Sequence, residues 1–551
     1  MEDSARQRAT RLAGRVAVEV HGAAQVVRAG LLRPEPPRKA AAVAKAIHRH
    51  GQIGGGVTAA AVRDPDRPGL IDELGSLTFD ELDRRSNALA NSWSEIGIGT
   101  GTNVAILCRN HRGFLDATFA CAKLGARALY LNTDFAGPQI AEVCEREGTE
   151  AIVFDEEFAE RVADAPAPRG RFVAWSEGVT ELPTLEELIA AGDDAPPPKP
   201  TDKGSLVMLT SGTTGTPKGA PRAQPSSVAP IGALLSKVPL RPTEVTYIAA
   251  PMFHALGFAH AMVATGFNST IVTARRFDPE AVLDSLAEQR ATGVILVPVM
   301  LQRLLALGPE ALAARDLSAL RIVFLAGANL EADLATAALD ALGPTLYNLY
   351  GSTEVAWATI ATPEDLAAAP GCAGRTPFGT TVKLYDDDGR PIDGQGATGR
   401  IFVGNSFPFE GYTGGGSKTV IDGLMSTGDV GHFDSAGRLF IDGRDDEMIV
   451  SGGENLFPHE IEELLRTHPA IADAAAIGVP DPDFGQALHA FVVRAPDGQI
   501  DAAGVQNFVK ENLARFKAPR RVSFLDDLPR NPTGKILKRQ LAADAENEVP
   551  A

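Results

Sequence analysis

The chain has 551 residues, of which 44% are hydrophobic and 22% charged, so it is globular and long enough for about two to four domains. Its net charge of −18 argues against a general nucleic-acid binder, because neutralising phosphates requires a basic face. No stretch approaches the roughly 18 apolar residues of a membrane span, and the N-terminus lacks the apolar core of a signal peptide.

Residues 1–50 reverse the overall charge balance, with ten Lys and Arg against four Asp and Glu. Apolar residues recur there at helical spacing, namely Leu12, Val16, Val20, Ala23, Val27 and Leu31. A basic amphipathic helix of this kind can lie on an anionic bilayer, which would make the protein peripherally membrane-associated. It can equally pack on its own protein with a solvated polar face, and this second interpretation is favoured. We therefore treat residues 1–50 as a basic N-terminal extension.

An alternation of helix and strand begins at residue 76. Thr78 and Glu81 have the spacing of a capping box, and the predicted helix carries Leu82, Leu89, Trp93 and Ile96 on one face. Strands are predicted at Val104–Leu107, Ala128–Leu131 and Ala151–Phe154, separated by helices near 113–124 and 138–147. Continuous apolar strands alternating with helices indicate a parallel sheet that is covered on both faces.

The cysteines in this region and beyond (Cys108, Cys121, Cys144 and Cys372) form neither a CxxC pair nor a metal spacing. Lone cysteines of this kind are usually small buried hydrophobes in a reduced environment. The sequence therefore predicts a cytoplasmic protein.

The proline-rich run APPPKP at 195–200 is predicted to be a linker, after which the alternation resumes. Strands are expected near 205–209, 246–250, 293–297, 321–325 and 345–349. Gly- and Asp-rich segments from about 380 to 443 predict a small antiparallel β subdomain. A new helix–strand pattern follows residue 446, with Pro458–Arg466, Ala474–Val479, Ala490–Val493 and a helix near 503–514. The predicted fold class is α/β: a large N-terminal domain (51–445) with two parallel-sheet subdomains and a small β subdomain, then a small α+β C-terminal domain (446–551).

The stretch TSGTTGTPKG at 210–219 follows a predicted strand directly. A strand that runs into a Gly-rich turn can cradle phosphates, since glycines let backbone N–H groups approach and Lys218 adds charge. The stretch is not a Walker A loop, because Lys218 follows a proline. Taken alone, it is also consistent with a flexible surface loop.

Four further motifs follow in order: Tyr350-Gly-Ser-Thr-Glu354, Ser426-Thr-Gly-Asp429, Gly443-Arg444-Asp-Asp446 and Pro532-Thr-Gly-Lys535. Together the five motifs resemble those of the adenylate-forming superfamily, which includes acyl-CoA synthetases, luciferases and the adenylation domains of peptide synthetases. The resemblance spans roughly residues 55–545 and is nearest to bacterial fatty-acyl-CoA synthetases. It implies that a carboxylate attacks the α-phosphate of ATP, and that coenzyme A then displaces AMP from the acyl-adenylate.

The resemblance also implies the roles of individual residues. The β- and γ-phosphates would be held by Thr210, Ser211, Gly212, Thr213, Thr214, Gly215 and Lys218. Thr353 would contact the α-phosphate, and Glu354 would bind Mg²⁺. Adenine would lie between Gly327-Ala328 and Tyr350-Gly351 with Asn348 on its amino group, and the ribose hydroxyls would be bound by Asp429 and Arg444.

Two positions carry the two-step mechanism that the resemblance implies. Lys535 would bridge the carboxylate and the α-phosphate. Asp446 would be the hinge of a mobile C-terminal domain, whose rotation brings Gly452 and Gly453 to the pantetheine tunnel.

The acyl pocket is expected near Phe253, His254, Val299, Gln302 and Trp357, although His254 could also be a core histidine. The pocket segment lacks an Asp or Arg suited to a polar acid, which favours a medium-to-long fatty acid. The expected ligands are therefore ATP, Mg²⁺, coenzyme A and a fatty acid. Two alternatives remain, an acyl-AMP ligase that loads a carrier protein and a nucleotide-binding scaffold without catalysis. The oligomeric state is left open, with a homodimer as one option.

Overall fold

The computed structural model of the chain describes residues 2–210, 218–222, 227–386, 388–392, 395–407, 409, 411–413, 415, 417–445, 449–451, 454–481, 485–513, 517–531 and 534–547. Together they form an α/β fold with four sheets, which confirms the predicted fold class.

The first part of the chain contains two long helices and the first α/β subdomain. Its elements are α1 (Glu2–Arg28), α2 (Pro37–Arg63), β1 (Pro68–Asp72), β2 (Gly75–Thr78), α3 (Phe79–Glu95), β3 (Asn103–Leu107), α4 (Arg112–Leu124), β4 (Arg127–Tyr130), α5 (Gly137–Arg146), β5 (Ala151–Asp155), a 3₁₀ turn (Glu156–Phe158), α6 (Ala159–Val162), β6 (Gly170–Trp175), α7 (Leu185–Ala191), β7 (Leu206–Thr210) and β8 (Lys218–Arg222). Six strands form a sheet in the order β6-β5-β3-β4-β7-β8, parallel except for the edge strand β8. The predicted parallel sheet is therefore confirmed.

Helix α3 begins with the predicted capping box. The Thr78 hydroxyl accepts a hydrogen bond from the Glu81 N–H at 3.2 Å, and the Glu81 carboxylate accepts one from the Thr78 N–H at 2.7 Å. Leu82, Leu89 and Trp93 are buried as predicted. The prediction for Ile96 is wrong, because the helix ends at Glu95 and Ile96 is its partly exposed C-terminal cap.

The second subdomain contains the larger sheet. Its elements are α8 (Ala229–Leu235), β9 (Val245–Ile248), α9 (Ala255–Gly266), β10 (Thr270–Val272), α10 (Pro279–Glu288), β11 (Gly293–Leu296), α11 (Pro298–Leu305), α12 (Gly308–Ala313), β12 (Ile322–Leu325), α13 (Ala332–Leu342), β13 (Leu346–Tyr350), β14 (Thr359–Ala361) and α14 (Pro363–Ala368). Eight strands pair in the order β14-β13-β12-β11-β9-β10-β1-β2, with antiparallel strands only at the two edges. Strands β1 and β2, which the sequence analysis did not predict, thus complete a sheet whose other strands lie much later in the chain.

The remaining elements form the two small sheets. They are β15 (Thr381–Tyr385), β16 (Gly399–Gly404), β17 (Val420–Ile421), β18 (Leu424–Phe433), β19 (Leu439–Arg444), β20 (Ile449–Ser451), β21 (Glu454–Leu456), α15 (Pro458–Arg466), β22 (Ile471–Asp481), β23 (Gly485–Arg494), α16 (Ala502–Asn512), β24 (Arg521–Leu525) and α17 (Lys538–Asn547). Strands β15–β19 form the predicted antiparallel subdomain. Strands β20–β24 and helices α15–α17 form a small C-terminal domain with its own apolar core, built on residues such as Ile461 and Val492.

The N-terminal helix packs on the large domain through a face that differs from the predicted stripe. Val26 is buried against Leu235 and Phe267, and Gly22 allows close approach because a Cβ there would lie 2.7 Å from the Cα of Ala229. Val16, Val20 and Val27 are instead 54%, 64% and 57% exposed. The expectation that the stripe is the packed face is therefore wrong for these three valines.

Helix α2 joins this N-terminal segment to the core. It kinks at Gly51, whose φ of 73° lies in the left-handed region, and its second half buries Val57 and Ala60. The predicted boundary between residues 50 and 51 thus falls at a kink inside a helix. Among the helices that the structure describes, none combines the length and apolar character needed to cross a bilayer. All four cysteines are free and buried, as predicted.

Candidate active site

Two neighbouring parallel strands of the large sheet end at the same edge and supply backbone-rich turns. Strand β12 is followed by Ala326-Gly327-Ala328, and β13 by Gly351, with Leu325 and Asn348 in register. Gly327 has a φ of 92°, which favours glycine, and a Cβ at Gly351 would lie 2.2 Å from the Ala356 carbonyl oxygen. These glycines let the two turns lie close to whatever occupies the edge.

A cavity of about 2090 Å³ opens at this edge. It is lined by most of the predicted site residues: Lys218, His254, Val299, Gln302, Gly327, Ala328, Asn348, Tyr350, Gly351, Thr353, Glu354, Trp357, Asp429, Arg444 and Lys535. Phe253 is instead buried in the core beside the cavity, and only the backbone of Thr210 is described. The predicted residues Ser211, Gly212, Thr213, Thr214, Gly215, Asp446, Gly452 and Gly453 lie outside the described residues.

Glu354 is a buried carboxylate on the cavity wall, only 7% exposed. Burial by itself raises the pKa of Glu354. Hydrogen bonds from Tyr412 and Ser352, together with the positive charge of Lys418, outweigh burial and lower that pKa below its usual value. Glu354 is therefore ionised at neutral pH, which suits a group that binds a cation.

Tyr412 joins Glu354 to Lys218. Its hydroxyl donates to Glu354, and the Lys218 ammonium lies 5.3 Å from the centre of its ring. The tyrosine is held in place because the next residue, Thr413, donates its N–H to the Gly219 carbonyl oxygen at 2.8 Å. This contact ties the segment 411–413 to strand β8, directly after the Gly-rich motif.

A second polar cluster lies on strands β18 and β19. The Tyr350 hydroxyl donates to Asp429 at 2.6 Å, and the Arg444 guanidinium donates to the other carboxylate oxygen at 3.2 Å. Gly428, with a φ of 83°, makes room for this cluster, since a Cβ there would lie 3.3 Å from Arg444 and 3.4 Å from the Lys418 ammonium. Burial raises the pKa of Asp429, and the donors from Tyr350 and Arg444 offset this only in part, so the pKa stays above its usual value. The arrangement presents a carboxylate and a guanidinium side by side, which suits vicinal hydroxyls.

Three features of the β13 region point to a ligand. The side-chain oxygen of Asn348 and the indole nitrogen of Trp357 are both buried without a hydrogen-bond partner within the described part of the chain. Ala356 has a φ of 60°, a left-handed conformation that costs energy for a residue with a Cβ. A bound molecule with an N–H donor would satisfy the Asn348 oxygen.

The opposite end of the cavity is apolar. His254 is the N-cap of α9, and burial lowers its pKa to about 4, so its ring is neutral near pH 7. His260 lies one to two turns further along the helix, is also neutral for the same reason, and packs 4.5 Å from the Phe324 ring. The helix therefore presents a neutral, largely apolar wall to the cavity.

The small C-terminal domain faces the mouth of this cavity. Gly534 lies against Val299, since a Cβ there would be 2.4 Å from a Val299 methyl group, and its φ of 79° favours glycine. The turn that carries Lys535 is fixed by two hydrogen bonds between Asn531 and Lys535, at 2.8 and 2.9 Å, and by Arg530, which donates to the Gly534 carbonyl oxygen. Lys535 thus lines the cavity next to the contact between Gly534 and Val299.

Ion pairs hold the two domains in this arrangement. Arg466 of α15 pairs with Glu331 of the large domain at 3.1 Å, and Asn329 lies 3.2 Å from the His459 ring. Burial lowers the pKa of His459, yet Glu462, Glu463 and Glu331 together raise it to about 10. His459 is therefore protonated at neutral pH and attracts Glu331 of the large domain.

Over the ranges that the structure describes, two groups of side chains have the proximity of a metal site. In one, His111 places a nitrogen 2.7 Å from Asp155, with Cys108 nearby, and its other nitrogen accepts from the Gly113 N–H. In the other, His459 lies with Glu331 and Glu463 at the domain junction. Both imidazoles already have protein partners, so the first group is an ordinary buried network and the second a partly buried one.

The sequence analysis missed Tyr412, Lys418 and the domain-junction residues Glu331, His459 and Arg466. Lys418 is distinguishable only as a basic residue shortly before the STGD motif, where its ammonium donates to the Thr427 carbonyl oxygen at 3.1 Å. Tyr412 belongs to none of the sequence motifs described above. Its role depends on a strand pairing that only the folded chain shows.

Comparisons with known proteins agree with this geometry. A family model described as AMP-binding enzyme matches residues 57–413, and a model described as AMP-binding enzyme C-terminal domain matches residues 460–535.

Two curated relatives are similar over most of the chain. A fatty acid–[acyl-carrier-protein] ligase from Streptomyces coeruleorubidus is 32% identical over 87% of this chain and 94% of its own length. A feruloyl-CoA synthase from an Amycolatopsis species is 36% identical over 85% of this chain and 93% of its own. Among solved structures, the o-succinylbenzoate CoA synthetase of Bacillus subtilis in complex with its acyl-adenylate intermediate superposes with a TM-score of 0.77 at 27% identity, covering 88% of this chain and 97% of that one.

Proposed function

The chain belongs to the AMP-binding enzyme family, and we propose that it activates an unbranched, medium-to-long fatty acid with ATP and transfers the acyl group to coenzyme A. Family membership supports the general class, an AMP-forming acyl-CoA ligase that uses ATP and CoA. The acid is the part that rests on our interpretation, since the relatives named above differ in their acids.

One observation carries the proposal. A single cavity joins a charged end, with Lys218, Glu354, Asp429 and Arg444, to a neutral apolar end along α9. An acyl-adenylate has the same division, with an anionic nucleotide at one end and an apolar chain at the other. We assign Lys535, which lines the same cavity, to the point where the two parts would be joined.

At the nucleotide end, we assign ribose binding to Asp429 and Arg444. The Tyr350 hydroxyl is anchored on Asp429, which fixes the ring as one wall of an adenine site, with Gly327 and Ala328 as the other. The unpaired Asn348 oxygen would accept a hydrogen bond from the adenine amino group. This contact would distinguish adenine from a base without a donor at that position.

At the phosphate end, Lys218 would attract the β- and γ-phosphates, with Thr210 and the predicted residues 211–215 as further donors. Thr353 would bind the α-phosphate. The ionised Glu354 fits Mg²⁺, which when bound would offset the charge of the phosphates. Tyr412 would orient Glu354 and keep Lys218 close to it.

At the acid end, His254, Val299, Gln302 and Trp357 would border the acyl chain. Because the pKa of His254 is lowered to about 4, it would not pair with the substrate carboxylate. Lys535 would supply that charge, reducing the repulsion between the carboxylate and the α-phosphate as they approach.

The second step would require the small domain to move. We propose that residues 446–551 rotate about Asp446 after adenylation, exchanging Lys535 for the Gly452-Gly453 segment at the cavity. In this proposal, the contacts of Gly534 with Val299 and of Arg466 with Glu331 would belong to the first of these two arrangements.

A second candidate function is an acyl-AMP ligase that loads a carrier protein. It is favoured by the similarity to the Streptomyces ligase, whose name specifies an acyl carrier protein. The two functions share the first step and differ in the acceptor.

We also propose a cytoplasmic location with peripheral membrane contact through α1. The four free, buried cysteines are in keeping with a reducing compartment, and the exposed Val16, Val20 and Val27 lie on a basic segment.

The proposed function is tested by AMP release from ATP and Mg²⁺ with unbranched acids of four to twenty-four carbons, each with and without CoA. Ferulate, indoleacetate and succinylbenzoate serve as competing acids. We expect release to be fastest with a medium or long unbranched acid and to accelerate with CoA. A preference for an aromatic acid would reject the fatty-acid assignment. Adenylate formation without acceleration by CoA would support the carrier-protein ligase instead.

A further inference from the structure

The active-site cavity continues well past the reacting groups along helix α9. Leu256, Phe258, Met262 and Val263 form one wall of this continuation. The wall contributed by the start of the chain is mostly apolar and consists of Leu31, Leu32, Val43, Ile47, Gln52, Ile53 and Gly56, with Gln52 its one polar side chain. All seven precede residue 57, where the match to the AMP-binding enzyme family begins. This wall of the cavity is therefore built by a segment that the family match does not include.

Three consecutive glycines in α2 have different surroundings. A Cβ at Gly55 would lie 2.4 Å from the Ala46 carbonyl oxygen, and one at Gly54 would lie 3.0 Å from Lys123. Packing of α2 on itself and on α4 therefore accounts for these two glycines. Gly56 is different, because a Cβ there meets no heavy atom within 4 Å, and the residue lines the cavity. Its missing side chain leaves open space in the apolar continuation.

A charged cluster marks the far end of this continuation. Arg63, on the cavity lining, donates to the Gly266 carbonyl oxygen at the end of α9 at 3.2 Å and pairs with Glu35 at 3.3 Å. Glu35 also pairs with Arg33 at 3.1 Å. The Arg63 and Glu35 side chains are only 11% and 12% exposed. An apolar chain end that separated them would leave two buried charges without partners, so the cluster ends the apolar region.

The length of the apolar part of the cavity can be compared with the length of an extended fatty-acid chain. Helix α9 has 12 residues, which corresponds to a rise of about 16 Å from its first residue to its last. Carbon–carbon bonds of about 1.5 Å at angles near 111° advance an extended chain by about 1.25 Å each. The wall along α9 thus accommodates roughly 13 carbons.

We propose that the segment before residue 57 forms the far wall of the acyl site and that Gly56 sets the maximum chain length of the acid. This inference rests on the proposed function, because it requires an unbranched acyl chain in the cavity. The substrate class it specifies is an acid of about twelve to sixteen carbons with an apolar end.

The experiment compares the native chain with Gly56→Leu and Gly56→Phe. Acid-dependent pyrophosphate release gives kcat/KM for unbranched acids of four to eighteen carbons and for acids with a hydroxyl or second carboxyl group at the far end. Each buried methylene contributes a factor of about 4. If the phenylalanine displaces three methylenes, kcat/KM for the long acids should therefore fall about 60-fold, with a smaller fall for leucine, while acids of eight carbons or fewer stay within about 2-fold. Gly14→Leu is the matched control, because Gly14 is an exposed helical glycine of the same segment with nothing within 4 Å of its Cβ position.

Several results would overturn the inference. The chain-length profile could stay the same in both Gly56 variants, or kcat/KM could fall equally for all acids while thermal unfolding shows a native fold. A native enzyme that uses only short acids, or that prefers acids with a polar far end, would also contradict it. The failure of the proposed function looks different, because the native enzyme would then release no pyrophosphate with any unbranched acid. If Gly56→Phe does not fold, the leucine variant still decides between these outcomes.

Discussion

Removing the Tyr412 hydroxyl tests the hydrogen bond from Tyr412 to Glu354 at the phosphate end of the cavity. In Tyr412→Phe the ring remains beside Lys218, and only the hydrogen bond to Glu354 is lost. A hydrogen bond to a buried charged group contributes about 1.5–3 kcal/mol. Its loss therefore raises the ratio of protonated to ionised Glu354 at a given pH by roughly 10- to 150-fold. The native fold lowers the pKa of Glu354, so the ionised carboxylate is fully present above the ordinary glutamate pKa and is lost as the pH falls below it. In Tyr412→Phe, Glu354 should become protonated at a higher pH than in the native enzyme.

The assay is acid-dependent pyrophosphate release across pH. We expect the ratio of the rate at about pH 8 to that at about pH 5.5 to be larger in Tyr412→Phe than in the native enzyme, because the variant protonates Glu354 at a higher pH, with a smaller change at pH 8. Tyr385→Phe is the matched control, since its hydroxyl donates to Asp422 at 3.0 Å and Tyr385 does not line the cavity. An unchanged pH profile, or a loss by the same factor at every pH, would refute the effect of the Tyr412 hydroxyl on the pKa of Glu354.

Three further predictions concern the domain junction and the first helix. Lys535→Ala should slow acid-dependent pyrophosphate release by about 10²–10³ while leaving thioester formation from supplied acyl-adenylate near normal, and loss of both steps in a folded variant would contradict this. Burial lowers the pKa of His459, and Glu462 and Glu463 of its own helix do most to raise it to about 10, with Glu331 across the junction as a smaller cause. The attraction of the His459 charge for Glu331 favours docking and is lost as pH rises through about 10. Limited proteolysis between the domains should therefore increase near pH 10, and equal resistance on both sides of that pH would reject the contribution. Val20→Asp should weaken co-sedimentation with anionic vesicles without changing turnover, whereas unchanged binding would place the membrane contact elsewhere.

Much of the fold follows from local pattern. The capping box at Thr78 and the apolar strands from Val104 to Phe154 are found where the sequence places them, because both depend on neighbouring residues alone. Strands β1 and β2 pair with each other locally and were missed all the same, whereas the parallel pairing of β1 with β10 joins residues some 200 positions apart and has no local signal. Val16, Val20 and Val27 were assigned to the packed face on periodicity, but Gly22 determines which side of α1 meets α8.

The residues of the candidate site also fall into two groups, those with a local sequence signal and those whose position depends on distant contacts. Residues such as Glu354, Asp429 and Lys535 belong to short motifs, and the cavity contains all three. Tyr412 and Gly56 belong to no motif, and their positions depend on contacts between distant segments. The far wall of the cavity was not predictable for this reason, since it is formed by a segment whose pattern indicated only an amphipathic helix.

The central claim is that the cavity joins an acid to the α-phosphate of ATP. Exchange of labelled pyrophosphate into ATP in the absence of CoA measures this step directly. We predict exchange that depends on an unbranched acid and on Mg²⁺, and that is strongly reduced in Lys535→Ala. Folded protein that shows no acid-dependent exchange with any acid would contradict the account.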